Sequence, residues 1–150
     1  MNREEINAAL REAGCLNSED FTLMCFTYNC GGNDPDFSAN ALFDEIGKLS
    51  QMPELICVGL QEMVALNAQN VLAKGFSEQQ GHKWLQVILR RLNDYEEKHN
   101  PYEVVAHECL VGLWICLIST RKLKAALKEV SIGQCATGIG GVLGNKGGVA

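Results

Sequence analysis

Short unbroken apolar runs alternate along this chain with longer stretches in which apolar residues recur every three or four positions. Phe21 to Tyr28 is rich in β-branched and aromatic residues with apolar side chains on both faces, which predicts a strand buried in a packed core. Asn29-Cys30-Gly31-Gly32-Asn33-Asp34-Pro35 follows, a loop by its turn residues. Ser38 opens an expected helix carrying Leu42, Phe43, Ile46 and Leu49, closed before Pro53. Glu54 to Leu60 reads as a second buried strand ending in Gln61-Glu62, and a helix from Met63 to Ala73 is expected after it. Ser77 with Gln80 three residues on has the form of a capping box. The helix it would open bears Trp84, Leu85, Ile88, Leu92 and Tyr95 on one side and breaks at Asn100-Pro101. Tyr102 to Cys109 and Leu110 to Thr120 read as adjacent strands. A basic connection, Arg121 to Lys128, leads to an expected strand from Glu129 to Cys135. Near the start, Asn2 and Glu5 would cap a short helix striped by Ile6, Ala9, Leu10 and Ala13 and ended by Gly14. The order is β-α-β-α-α followed by several strands, with no internal repeat.

Composition narrows this picture. A chain of 150 residues is one domain at most, or part of a larger one. Its formal net charge of −5 argues against non-specific nucleic-acid binding, which needs a basic face. The seven cysteines are odd in number, form no CxxC and partly lie in apolar runs. They therefore read as reduced, buried thiols of a cytosolic protein, not as a disulfide framework or a cysteine zinc site. The amino-terminus has no apolar secretory region, and no apolar run approaches the ~18 residues of a membrane span. The expected location is cytoplasmic, peripheral to membranes at most.

Candidate chemistry lies in loops at strand ends. Six of the 15 glycines fall between Gly138 and Gly148, with Asn145 and Lys146 among them. Peptide N–H groups that approach a ligand without a Cβ in the way, beside one ammonium, describe an anion site, with phosphate the natural anion. A nucleotide P-loop is excluded, because Asn145 precedes the lysine and Gly147 follows it. A dinucleotide fingerprint from Gly138 fails at Leu143. The plain alternative is a hairpin turn with Lys146 solvated, and composition alone leaves the two readings even. Glu62, a hard oxygen ligand, and Asn29, a neutral oxygen and amide, each stand at the end of a buried strand, where α/β folds place sites. A carboxylate with a nearby amide suits Mg²⁺, which takes few protein ligands. Taken singly, Glu62 could equally cap the next helix and Asn29 satisfy its own turn.

Three segments together carry more. Thr27-Tyr28-Asn29-Cys30-Gly31-Gly32, Val58-Gly59-Leu60-Gln61-Glu62 and Gly144-Asn145-Lys146-Gly147-Gly148-Val149 resemble the inositol polyphosphate 5-phosphatases. These belong to a Mg²⁺-dependent superfamily that also holds DNase I-like nucleases and apurinic endonucleases. The first two segments are shared across that superfamily, whereas the glycine run selects the inositide branch. The resemblance implies an α+β fold, part of a DNase I-like four-layer α/β/β/α sandwich, with the first sheet and its flanking helices present. It implies the amino-terminal half of a catalytic domain over 20–150, with residues 1–19, read as a helical segment from their own pattern, ahead of it. It also implies that Glu62 binds the catalytic Mg²⁺ with Asn29 beside it, orienting metal or scissile phosphate. Asn145 and Lys146 would hold a ring phosphate other than the one cleaved. The substrate class would be a phosphoinositide or inositol polyphosphate, reached at a transient membrane surface, with no nucleic acid partner. The family's Gly-Asp-Leu-Asn, Pro-x-Trp-Cys-Asp-Arg and Ser-Asp-His segments would follow residue 150, so the chain by itself is expected to be inactive and one apolar sheet face to lie uncovered. His82, His99 and His107 match no catalytic position, the first two reading as solvated and the third as structural. A nuclease and a non-catalytic inositide-binding module stand as alternatives.

Overall fold

Alternation along one strand sets the layers. In Leu55-Ile-Cys-Val-Gly-Leu-Gln61 the residues Ile56, Val58 and Leu60 are fully buried while those between are half-buried, so one face is turned fully into the core and the other is not. This strand is the second of six in the computed structural model of the chain, which describes residues 4–5, 8, 21–35, 46, 48–64, 74–95, 99–137 and 147–150. In chain order the described elements are β1 (Leu23–Asn29), β2 (Leu55–Gln61), α1 (Lys74–Tyr95), β3 (Tyr102–Leu110), β4 (Leu113–Thr120), α2 (Arg121–Lys124), β5 (Gln134–Ala136) and β6 (Gly147–Val149). Residues 4, 5, 8 and 46 are also helical. The rest of the helix expected over 2–13, residues 38–45 and 47 of the second expected helix and residues 65–73 of the one expected after β2 lie outside the described residues, while Lys48, Leu49, Met63 and Val64 are described and are not helical, so neither expected helix reaches them.

The first four strands form one mixed sheet in the order β1-β2-β4-β3, with β1 and β2 parallel and the remaining pairs antiparallel. Thr22 and Glu54 lock the start of the parallel pair. The Thr22 N–H donates to Glu54 Oε2 at 2.8 Å, and the Glu54 and Leu55 N–H groups both donate to the Thr22 carbonyl. Helix α1 lies on the face carrying Ile56, Val58, Leu60, Trp114, Cys116 and Ile118, and it buries Trp84, Leu85, Ile88 and Leu92 there. That is the apolar stripe the periodicity predicts, except that Tyr95 closes the helix exposed. Gly81 sits on the same stripe, and a Cβ at this position would run into the six-membered ring of Trp114. The absent side chain is what lets α1 come down onto the indole.

Several expectations need correction. Ser77 is not an N-cap: α1 starts at Lys74, and Ser77 is buried within it, its hydroxyl accepting from the Gly112 N–H at 3.3 Å. Gln80 reaches Asp34 instead of its own helix end. Strand β1, at one edge of the described sheet, is not buried on both faces: its residues alternate between exposed and half-buried, with Leu23 55% exposed. The apolar run from Leu110 is broken by a turn at Val111-Gly112, where Gly112 takes φ 73°. Residues 129–133 are not strand; backbone pairing starts where Gly133 and Ala150 exchange hydrogen bonds, and the strand itself begins at Gln134.

β5 and β6 pair antiparallel with each other and pack against β3 and β4. A Cβ at Gly147 would meet the Cys135 carbonyl and Leu110. Leu110 alternates with Cys109, whose partner Trp114 faces α1, so the hairpin begins a second layer on the opposite side of the sheet. Buried thiols fill the first layer, and desolvation pushes that of Cys116 up to about 12. Among the described residues no helix is long and apolar enough to cross a membrane.

The Gly81–Trp114 contact gives a direct test. Alanine is favoured over glycine inside a helix by about 1 kcal/mol, but here it must displace a buried ring, and overpacking costs about 1–3 kcal/mol. Gly81→Ala is expected to lower the stability read by chemical denaturation, whereas a stabilised variant would show that α1 does not rest on Trp114.

Candidate active site

The two strand-end residues named from sequence come together through the backbone. β1 and β2 run parallel with Asn29 opposite Gln61, so both chains leave the sheet at the same edge. The ladder continues past the strands: the Cys30 N–H donates to the Gln61 carbonyl at 2.8 Å and the Gly32 N–H to the Glu62 carbonyl at 2.7 Å. Gly31 and Gly32 take φ 58° and 74°, which curls the chain back along the end of β2. Cys30 is buried between them and Asn29, and desolvation pushes its thiol up to about 12, so it anchors the loop and is no nucleophile.

Asn29 and Glu62 differ in how they are held. Asn29 Oδ1 accepts from the Gly31 N–H at 2.9 Å, an Asx turn, while the residue remains exposed. Its own turn is therefore satisfied, as the plain reading of the sequence has it. The amide NH₂ is a second function that this hydrogen bond leaves available for an anion. Glu62 is exposed at φ 49°, the one described non-glycine residue at positive φ. Its carboxylate makes no hydrogen bond or ion pair among the described residues. The next two residues, Met63 and Val64, are buried, and the Met63 N–H donates to the Gly112 carbonyl at 3.2 Å. The left-handed backbone thus turns the chain from strand into core while the carboxylate stays in solvent.

An exposed carboxylate after one strand end, with Asn29 at the end of the parallel strand next to it, fits a divalent cation that keeps most of its hydration. Asn145 and Lys146 lie outside the described residues. What is described is their setting: the strands flanking the glycine run pair as a hairpin, Cys135 opposite Gly148.

Sequence reasoning missed two groupings. Asp34, at the end of the Cys30 loop, accepts from Lys83 Nζ at 2.9 Å and Gln80 Nε2 at 2.6 Å, and these hydrogen bonds hold its carboxyl below the usual carboxylate range. A groove of about 550 Å³ lies there, lined by Asp34, Pro35, Lys83, Gln86, Val87 and Arg90 and by neither Asn29 nor Glu62. The second grouping joins His82 and His107 at Trp114. Neither leaves a local motif, because each joins residues more than twenty positions apart.

The mixed sheet, its helical cover and the start of a second layer define part of a DNase I-like sandwich. The inositol polyphosphate 5-phosphatase domain of a synaptojanin, solved with inositol (1,4)-bisphosphate and a calcium ion, superposes with a TM-score of 0.70 at 20% identity, over 97% of this chain and 40% of that one. The chain belongs to the Endonuclease/Exonuclease/phosphatase family 2, whose profile matches residues 26–150. Curated relatives include a synaptojanin of Caenorhabditis elegans, 30% identical over 67% of this chain and 8% of that protein. A type I inositol polyphosphate 5-phosphatase of Arabidopsis thaliana is 26% identical over 87% of this chain and 34% of its own length. The chain thus spans a small part of the relatives it matches, and the family profile runs across both Asn29 and Glu62.

The Glu62 backbone can be tested apart from activity. An L-residue in the left-handed region costs about 1–2 kcal/mol that glycine does not incur, partly offset by glycine's greater freedom when unfolded. Glu62→Gly is expected to leave stability unchanged or raise it by up to about 1 kcal/mol. A clear loss of stability in thermal unfolding would mean that the carboxylate is held for structural reasons.

Proposed function

We propose that this chain is the amino-terminal half of a phosphatase domain, residues 20–150, preceded by a helical segment over 1–19. The intact domain would hydrolyse the 5-phosphate of phosphoinositides or inositol polyphosphates. The observation that carries the reading is Glu62: an exposed carboxylate on a strained backbone, raised beside Asn29 at the carboxyl ends of two parallel strands. Strain kept at an exposed polar residue is characteristic of sites, where geometry matters more than stability. The family profile spans this pair, and the Arabidopsis thaliana relative and the solved synaptojanin domain are inositol polyphosphate 5-phosphatases by their names.

In this reading Glu62 is the direct protein ligand of a Mg²⁺ ion, which when bound polarises phosphate oxygens as a Lewis acid. The Asn29 amide, its oxygen tied to Gly31, donates to the phosphate and fixes its orientation. Lys146 supplies a compact positive charge for a second ring phosphate, and Asn145 an amide beside it, so the glycine hairpin selects the headgroup. The substrate in its lipid form is met at a membrane surface by a cytoplasmic protein, and the net charge of −5 disfavours nucleic acid as a competing partner. His82 and His107 pack against Trp114, and neither matches the position of the family's catalytic histidine. The 150-residue chain is therefore a binding half-site that turns nothing over.

The test is headgroup binding. By calorimetry, the purified chain is expected to bind inositol 1,4,5-trisphosphate more tightly with Mg²⁺ than without. Glu62→Gln should remove the Mg²⁺ dependence, and Lys146→Ala should weaken binding about tenfold, or ~1.4 kcal/mol. Binding that survives both changes, tighter binding of DNA than of the inositol phosphate, or Mg²⁺-dependent phosphate release by the chain alone would each overturn the corresponding part of the reading.

A further inference from the structure

Three metal-ligating side chains stand together at the rim of the helix-facing side of the sheet, outside the site just described. Glu78 and His82 are four residues apart on α1, so they occupy one face a single turn apart. His107 comes from β3, in register with Cys116 of β4. One carboxylate oxygen and one ring nitrogen from each histidine all lie within 4.8 Å of one another.

The site is partly built in advance. The His107 ring lies flat on the Trp114 indole, centroids 4.7 Å apart and planes 9° apart, and Trp114 is buried in the core. His82 meets both rings edge-on, at 5.2 Å from His107 and 5.5 Å from Trp114. Gly81, the residue before His82, sets how close the helix comes to that indole. Packing therefore positions one ligand, and the helix backbone brings the other two to it. Glu78 and His82 are exposed, so an ion reaches them from solvent.

We propose that Glu78, His82 and His107 bind a divalent transition metal of the Zn²⁺ class, at a site separate from the Glu62 carboxylate. Two imidazoles and one carboxylate are a donor set for Zn²⁺, Co²⁺ or Ni²⁺, whereas Mg²⁺ and Ca²⁺ take oxygen ligands. Donors about 2.0–2.1 Å from a tetrahedral ion stand roughly 3.4 Å from each other. Side-chain rotation at the two exposed residues closes the remaining distance with His107 left in its stack. Three protein ligands leave a fourth position for water. A bound ion would tie α1 to the edge strand β3, and because the ligands are assembled only in the folded chain, binding would stabilise it.

The proposal uses no residue of the phosphatase reading and stands or falls without it. Zn²⁺ is titrated calorimetrically into the purified chain, thiols reduced, in the presence of excess Mg²⁺. One Zn²⁺ per chain and a rise in Tm are expected, and Co²⁺ should give a visible spectrum without thiolate charge-transfer bands. Glu78→Gln and His82→Gln, both at exposed positions, should keep the far-UV circular dichroism of the parent. Each should weaken Zn²⁺ binding by at least the roughly 10–100-fold that loss of an outer-shell partner costs. Glu62→Gln should bind Zn²⁺ as the parent does. Absence of stoichiometric binding, binding that persists in the Glu78→Gln/His82→Gln double variant, or thiolate bands with Co²⁺ would overturn the proposal.

Discussion

The parallel register of β1 against β2 is the constraint on which the rest depends. It places Asn29 opposite Gln61 and carries the ladder two steps further, through the Cys30 and Gly32 N–H groups, to the Glu62 carbonyl. A slip of one residue would invert every side chain of β1 and take Asn29 away from the neighbouring carboxylate. Burial forbids the slip: Met24, Phe26 and Tyr28 pack on the face where Ile56, Val58 and Leu60 are buried. The core therefore aims the candidate site without containing it. Three residues beyond the strand ends take positive φ to complete the turn, and two of them are glycines.

A second junction connects that edge to the helix layer. The Gly112 carbonyl receives the Met63 N–H, and the Gly112 N–H donates to the buried Ser77 hydroxyl. The β3–β4 turn is thus held on one side by the segment following Glu62 and on the other by α1. Trp114, two residues on, is covered by Gly81 and stacked by His107. Helix position, turn and the departure of the chain after Glu62 form one connected set of contacts.

How much of this was legible in the sequence depends on whether the deciding partner is local. The runs that became β2 and β3, the α1 stripe of Trp84, Leu85, Ile88 and Leu92, and the turn chemistry after Asn29 are set by neighbours in the chain, and each was read correctly in kind. Ser77 was misread because Ser followed by Gln at the right spacing is a capping signal. Only the distant Gly112 N–H explains a buried serine inside a helix. The exposure of alternate residues of β1 depends on what covers that face of the sheet, which its own residues do not encode. Glu62 and Asn29 stood out as polar ends of apolar strands, but the positive φ of one and the Asx turn of the other are properties of the folded backbone. The meeting of Glu78 and His82 with His107 had no signal at all, since it requires the β3–β4 register and the seating of α1 together.

The two halves of the candidate site are unequal in how far each follows the rules of its own backbone. Asn29 obeys local rules: it closes its own turn and would be unremarkable in any loop. Glu62 violates two of them. It adopts a backbone conformation suited to glycine, in a chain that places glycines at Gly31, Gly32 and Gly112 where the same conformation recurs. It also stands exposed between a strand and two fully buried residues, contributing nothing to their packing. Positions where a sequence contradicts its own structural logic are where function is expected. Glycine at 62 would satisfy the backbone, so what glutamate adds there is its carboxylate.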